Sequence, residues 1–145
     1  MTKLTALVFS ICLFCSCNRN ESQKKNLESE SINQVCDNFM QLFSKGNFKE
    51  AIGLLKDNSI IADSTLDALQ PTIETQISNS VQSYGKITGF EHVRDFSTNG
   101  LIIQRIYLLK FEQYFLKFSF TIYKGSKGWT ITNFEYNENL IEVLY

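Results

Sequence analysis

Histidine occurs once in this 145-residue chain and proline once, beside four cysteines and seven glycines. One imidazole cannot supply the three or four nitrogen and sulfur ligands that a zinc site requires, and no metal or other cofactor is expected. The glycines are scattered, and no glycine-rich phosphate loop, nucleophile elbow or His-Glu-x-x-His helix occurs. Charge of one sign is also missing. Fourteen basic residues face 15 acidic ones, for a net charge of −1, so no long-range attraction draws this chain to nucleic acid or to anionic lipid. Nor does any apolar run reach the 20 or so residues that cross a bilayer as a helix.

What is present begins at the N-terminus. Lys3 precedes the apolar run Leu4 to Phe14, which ends in Phe14-Cys15-Ser16-Cys17 and gives way at once to Asn18, Arg19, Asn20 and Glu21. A positive residue, a short apolar segment and a small residue before an abrupt polar switch make the build of a cleaved export signal. An ordinary secretory leader and an N-terminal anchor helix share part of it. Ser16 before Cys17 resembles the lipoprotein signals of bacteria, in particular the Bacteroidota type. That resemblance implies a signal peptide over residues 1–16, and a Cys17 that is acylated with palmitate-like chains and becomes the new N-terminus. Cys15, after the bulky Phe14, fits poorly. The same resemblance implies attachment to the outer membrane on its periplasmic face, since neither an acidic residue after Cys17 nor an acidic cluster follows.

Removal of residues 1–16 takes away Cys12 and Cys15, and acylation occupies Cys17, so Cys36 is left alone and no disulfide framework can form. Cys36 lies on an apolar helix stripe and reads as a buried structural thiol. Residues 17–30 are polar and charged, and read as the lipid attachment site followed by a flexible tether. A single domain is expected over residues 31–145.

Within it, Ile32, Val35, Cys36, Phe39, Leu42 and Phe43 recur at helical spacing up to a stop at Gly46. Phe48, Ala51, Ile52 and Leu55 mark a second helix. A third, with Leu66, Leu69, Ile73, Ile77, Val81 and Tyr84, is expected to start between Asp67 and Gln70, because Pro71 is tolerated in a first turn and not in an interior. Asp63 and Asp67 read as caps. From Lys86 the period becomes alternating, and strands are expected over 86–97, 101–112, 114–123 and 129–138. In the last, Trp129 and Ile131 are out of phase with Phe134 and Tyr136, which a bulge near Asn133 would reconcile.

Three helices packed on a curved four-stranded antiparallel sheet make an α+β fold. Residues 39–51, Tyr84-Gly85-Lys86, residues 120–124, and Gly128-Trp129-Thr130-Ile131 with Phe134 resemble the nuclear-transport-factor-two-like superfamily, the cystatin-like cone, and within it the small bacterial domains of unknown function. The resemblance implies a pocket between sheet and helices and frequent homodimers.

The sequence offers little chemistry for such a pocket. His92 and Asp95 are the polar candidates for acid–base work, but they lie on the most polar strand, and neighbours of this kind ordinarily form a solvated edge. The aromatic set carries more weight, with Tyr107, Phe115, Phe118, Tyr123 and Trp129 as candidate pocket or interface residues. Both faces of the second and third strands are apolar, so a cover is expected on each. The expected function is therefore a lipid-anchored, non-catalytic envelope domain that binds a small apolar ligand or a protein partner. A small hydrolase or isomerase and a structural homodimer are the alternatives.

Overall fold

A computed structural model describes residues 20–139 and 141–144, with the side chains of 20–30, 141 and 142 left aside; the signal-peptide segment and Cys17 lie outside the described residues. The chain forms α1 (Asn20–Ser44), α2 (Phe48–Asn58) and α3 (Asp63–Tyr84), then β1 (Ile87–Thr98), β2 (Ile102–Phe111), β3 (Phe115–Gly125) and β4 (Gly128–Asn137), and a final turn, α4 (Ile141–Leu144). The strands make one antiparallel meander in the order β1-β2-β3-β4. The α+β class expected from the periodicity is the one observed.

Alternation decides which residues face the helices. Cross-strand partners share a face, so the pairs Tyr107–Phe118, Leu109–Leu116, Phe118–Tyr136 and Phe120–Phe134 define the inner one. On α1, Phe39 packs edge-on against Phe120 at 5.3 Å and Phe134 at 5.1 Å, and Phe43 against Phe118 at 4.9 Å. Phe39, Phe43, Tyr107, Phe118 and Phe120 are wholly buried, as are Ile52 and Ile73 from the other helices. β4 carries the expected irregularity: Thr121 pairs with Asn133 but Ile122 with Ile131, so Thr132 is the extra residue and both halves of the strand turn their apolar side chains inward.

Three expectations need correction. α1 begins at Asn20, not near Ser31, so the segment read as a tether continues the helix. Glu21, Gln23, Lys24, Lys25 and Glu28 are straight-chain helix formers, and the spacings Glu21/Lys25 and Lys24/Glu28 favour helix without any apolar face. α3 begins at Asp63, which leaves Pro71 inside it. Burial of Leu66 in the first turns offsets the missing N–H. Pro71→Ala is accordingly expected to stabilise the domain by about 1–3 kcal/mol, read as a higher denaturant midpoint; an unchanged midpoint would mean that the carbonyl at Asp67 is already satisfied. Finally, Asp63 and Asp67 do not cap. The N-cap of α3 is Ala62, with no side-chain cap bond, and Asp67 instead accepts from Lys56 at 2.6 Å, tying α2 to α3.

Gly85 ends α3 with φ +85°, and a Cβ there would lie 2.8 Å from the Cβ of Glu112. Any side chain at this position meets both left-handed strain and a clash.

A candidate polar site under the first helix

β1 is the most polar strand and forms an exposed edge of the sheet, as expected, but two irregularities turn part of it inward. Its register slips between Ile87 and Gly89 and again between His92 and Arg94. In an unbroken strand, residues 92 and 95 would face opposite sides. The second slip, at Val93, puts both inward, with His92 opposite Tyr107 and Asp95 opposite Arg105. The strand remains a solvated edge; the bulge adds that the two side chains share a face, because one extra residue reverses the phase of everything after it.

α1 closes the group from above with Asp37. Nε2 of His92 lies 2.8 Å from Oδ1 of Asp95, whose Oδ2 accepts from Nη1 of Arg105 at 2.8 Å. The Nε of Arg105 donates to the Tyr107 hydroxyl at 2.6 Å, and that hydroxyl donates in turn to Asp37. Nη2 of Arg105 reaches the same carboxylate at 3.4 Å. The chain His92–Asp95–Arg105–Tyr107–Asp37 thus runs from the sheet edge to the first helix. Its floor is buried, with Tyr107 at 0% and Arg105 at 8% exposure. Its rim is open, since the Asp37 side chain is 48% exposed and that of His92 36%.

The electrostatics follow from this arrangement. Burial works against the charge of Arg105, but the Tyr107 hydroxyl and the carboxylates of Asp95 and Asp37 outweigh it and hold the guanidinium above its usual range. Burial, reinforced by the hydrogen bond to Asp37, pushes the Tyr107 phenol up, so it serves as a neutral donor. Cys36, wholly buried beside the group, is pushed up to about 12, chiefly by burial. It is the inert thiol expected from its helix stripe.

Chemically the group is closed on itself. Asp95 uses both oxygens, Tyr107 both donates and accepts, and Arg105 bridges two carboxylates. The Nδ1 of His92 and the Oδ2 of Asp37, at the open rim, keep free capacity among the described residues. The larger clefts lie elsewhere: about 470 Å³ between the α1–α2 turn, α3 and the start of β1, and about 480 Å³ beside the β3–β4 turn. Among the described residues no group of three or more His, Cys, Asp or Glu could hold a metal ion, and no helix is long and apolar enough to cross a membrane.

Of the aromatic candidates, Tyr107 and Phe118 are core residues. Phe115 lies on the outer face, half-buried and stacked on Tyr114. Tyr123 is exposed on that face, and Trp129 lines the cleft beside the β3–β4 turn. The outer face is mixed and not apolar as expected: Gln104, Lys110, Lys117, Ser119 and Thr121 share it with Ile102, Ile106, Leu108, Phe115 and Tyr123, and its centre is already buried within the chain, at Ile106, Lys117 and Ser119. The sequence reading missed Asp37 and Arg105. A signal for Arg105 existed, because it interrupts the inward series Ile103, Tyr107, Leu109, Phe111, and a charge at an inward position requires a buried partner. Asp37, beside the apolar stripe of α1, gave none.

Comparison of the chain with protein-family models, with curated proteins and with solved structures finds no match.

Proposed function

We propose that this chain is a lipid-anchored domain of a bacterial envelope, of the nuclear-transport-factor-two-like cone type, that acts by binding and not by catalysis. Acylated Cys17 holds it to the outer membrane on the periplasmic side. The observation that carries the reading is that the space between helices and sheet is filled by aromatic side chains, whereas an apolar groove is open on the surface. Phe48, Ile77, Val81 and Ile87 line this groove, and Lys45, Glu74 and Lys86 stand around it. Its volume, about 470 Å³, suits a small apolar ligand or the apolar side chains of a partner protein. It lies at the C-terminal end of α1, away from the anchor.

Complementation of a chromosomal deletion tests this. Val81→Glu, which puts a charge into the groove, is expected to abolish function while the purified protein still unfolds cooperatively. His92→Gln is expected to complement fully. The opposite result would support a second reading, a small hydrolase or isomerase in which Asp95 orients His92 and Nδ1 takes or gives the proton. The 2.8 Å contact between His92 and Asp95 favours that alternative.

A further inference from the structure

Of the six large apolar side chains exposed among the described residues, four are gathered at one end of the sheet, Ile60 lines the adjoining cleft with Tyr123, and Leu144 lies apart in α4. Phe96, Leu101, Ile102 and Tyr123 are all more than a third exposed. Phe96 is at the end of β1, Leu101 in the following turn, and Ile102 opens β2 opposite Tyr123 near the end of β3. They form one patch at the end of the sheet where the β1–β2 and β3–β4 turns lie. Charge is distributed with the same bias. Residues 96–104 and 119–134 hold Lys124 and Lys127 and not one carboxylate, although the chain as a whole is net negative. Arg94 lies over the Phe96 ring at 5.4 Å, and Lys124 over Trp129 at 5.7 Å. Asp95, next to Phe96 in the sequence, is turned inward to Arg105.

The first helix points the same way. Phe43 meets Phe118, Phe39 meets Phe120, and Asp37 meets Arg105, so each step toward the N-terminus of α1 is a step toward this end of the sheet. The backbone continues as helix to Asn20, roughly 25 Å beyond Asp37 at 1.5 Å per residue. Cys17 precedes Asn20 by three residues, which span at most about 10 Å.

We propose that this turn end of the sheet rests on the surface of an anionic phospholipid bilayer, with Leu101, Ile102, Phe96 and Tyr123 at the headgroup level. The proposal rests on the lipid-anchor reading of Cys17. Lipid is favoured over a protein partner because apolar and aromatic side chains ringed by cations, without carboxylates, match an anionic interface. The anchor holds this same end close to the membrane, so even weak contacts are occupied at the resulting high effective concentration. An acyl anchor and a basic, apolar surface supply the two signals that stable attachment takes.

The test uses the full lipidated chain reconstituted into vesicles of phosphatidylethanolamine and phosphatidylglycerol. An environment-sensitive fluorophore is placed at Leu101→Cys, or at Gln113→Cys in the turn at the opposite end of the sheet; Cys36 is buried and takes no label. The expected result is a blue-shifted emission at position 101, quenched several-fold by doxyl-labelled lipid and returned toward the water value by Ile102→Glu, with position 113 unaffected throughout. Emission at 101 equal to that at 113, in protein that floats with the vesicles, overturns the docking and leaves the anchor standing. So does a shielded label that doxyl lipid does not quench, which would mean a protein cover. Protein that does not float and whose intact mass shows an unmodified Cys17 overturns the anchor reading and the docking with it.

Discussion

Replacing Phe118 by alanine is expected to destabilise the domain by about 3–5 kcal/mol, the cost of deleting a fully buried aromatic side chain and leaving a partly collapsed cavity. Phe118 is 0% exposed. Its ring lies within 4.9 Å of Phe43, 5.6 Å of Tyr136 and 6.0 Å of Phe134, so α1 and β4 both lose contacts at once. Phe115→Ala, three residues away on the outer face, should cost much less, because that side chain is only half-buried. Trp129→Ala should fall between them, since Trp129 packs against the edge of the core. Denaturant unfolding of the three variants checks the order. Equal losses at Phe118 and Phe115 would mean that the assignment of inner and outer faces is wrong. A loss of this size is a large part of the 5–15 kcal/mol that holds ordinary domains together, so Phe118→Ala is best measured at low temperature.

Alkaline pH is expected to unfold this protein early. Cys36 is held up to about 12 from an ordinary 9.0, and Tyr107 is raised above its ordinary 10.0. Both are neutral in the folded domain because burial, foremost, disfavours the thiolate and the phenolate, and the carboxylate of Asp37 adds to the effect in each. The unfolded chain releases these protons first. Above pH 9 it therefore binds fewer protons than the native state, and stability falls as pH rises. The contribution of Cys36 is complete below pH 9 and is lost between pH 9 and about 12, at about 1.4 kcal/mol per pH unit, with Tyr107 adding a similar slope from pH 10 upward. Unfolding free energies at pH 7, 9, 10 and 11 should be level at first and then drop, and Cys36→Ala should flatten the first part of the drop. A profile flat to pH 11 would show that the thiol and phenol are not desolvated as the packing requires.

Short-range patterning carries most of the architecture. The helical recurrence from Ile32 to Phe43 and the alternation through β2 and β3 are local signals, since a residue's face depends only on its distance along the chain from its neighbours. They identified the α+β class, the helix stop at Gly46, and the apolar stripe of α1 that carries Phe39 and Phe43. Even the bulge in β4 was legible, because two apolar pairs out of phase within one strand reach the same face only when an extra residue lies between them. α1 was harder to bound, since a polar segment has no apolar period to count. Its helix-forming residues were visible in composition and read instead as a tether.

The polar site belongs to the other category. Nothing in the spacing of His92 and Asp95 says that they share a face; three residues apart on a regular strand they do not. The bulge at Val93, imposed by pairing with β2, brought them together, and the approach of α1 added Asp37 from 68 residues away to Arg105. By itself the sequence determined which side chains are apolar, how they recur and hence which layers can form, because burial of apolar surface needs no particular partner. Which polar groups meet, and whether they open onto a cleft or close on one another, only the tertiary structure decided. Hydrogen bonds and ion pairs depend on distance and direction to within a fraction of an ångström, and a one-residue slip in register joins two side chains of an exposed edge strand to the buried Arg105 and Tyr107.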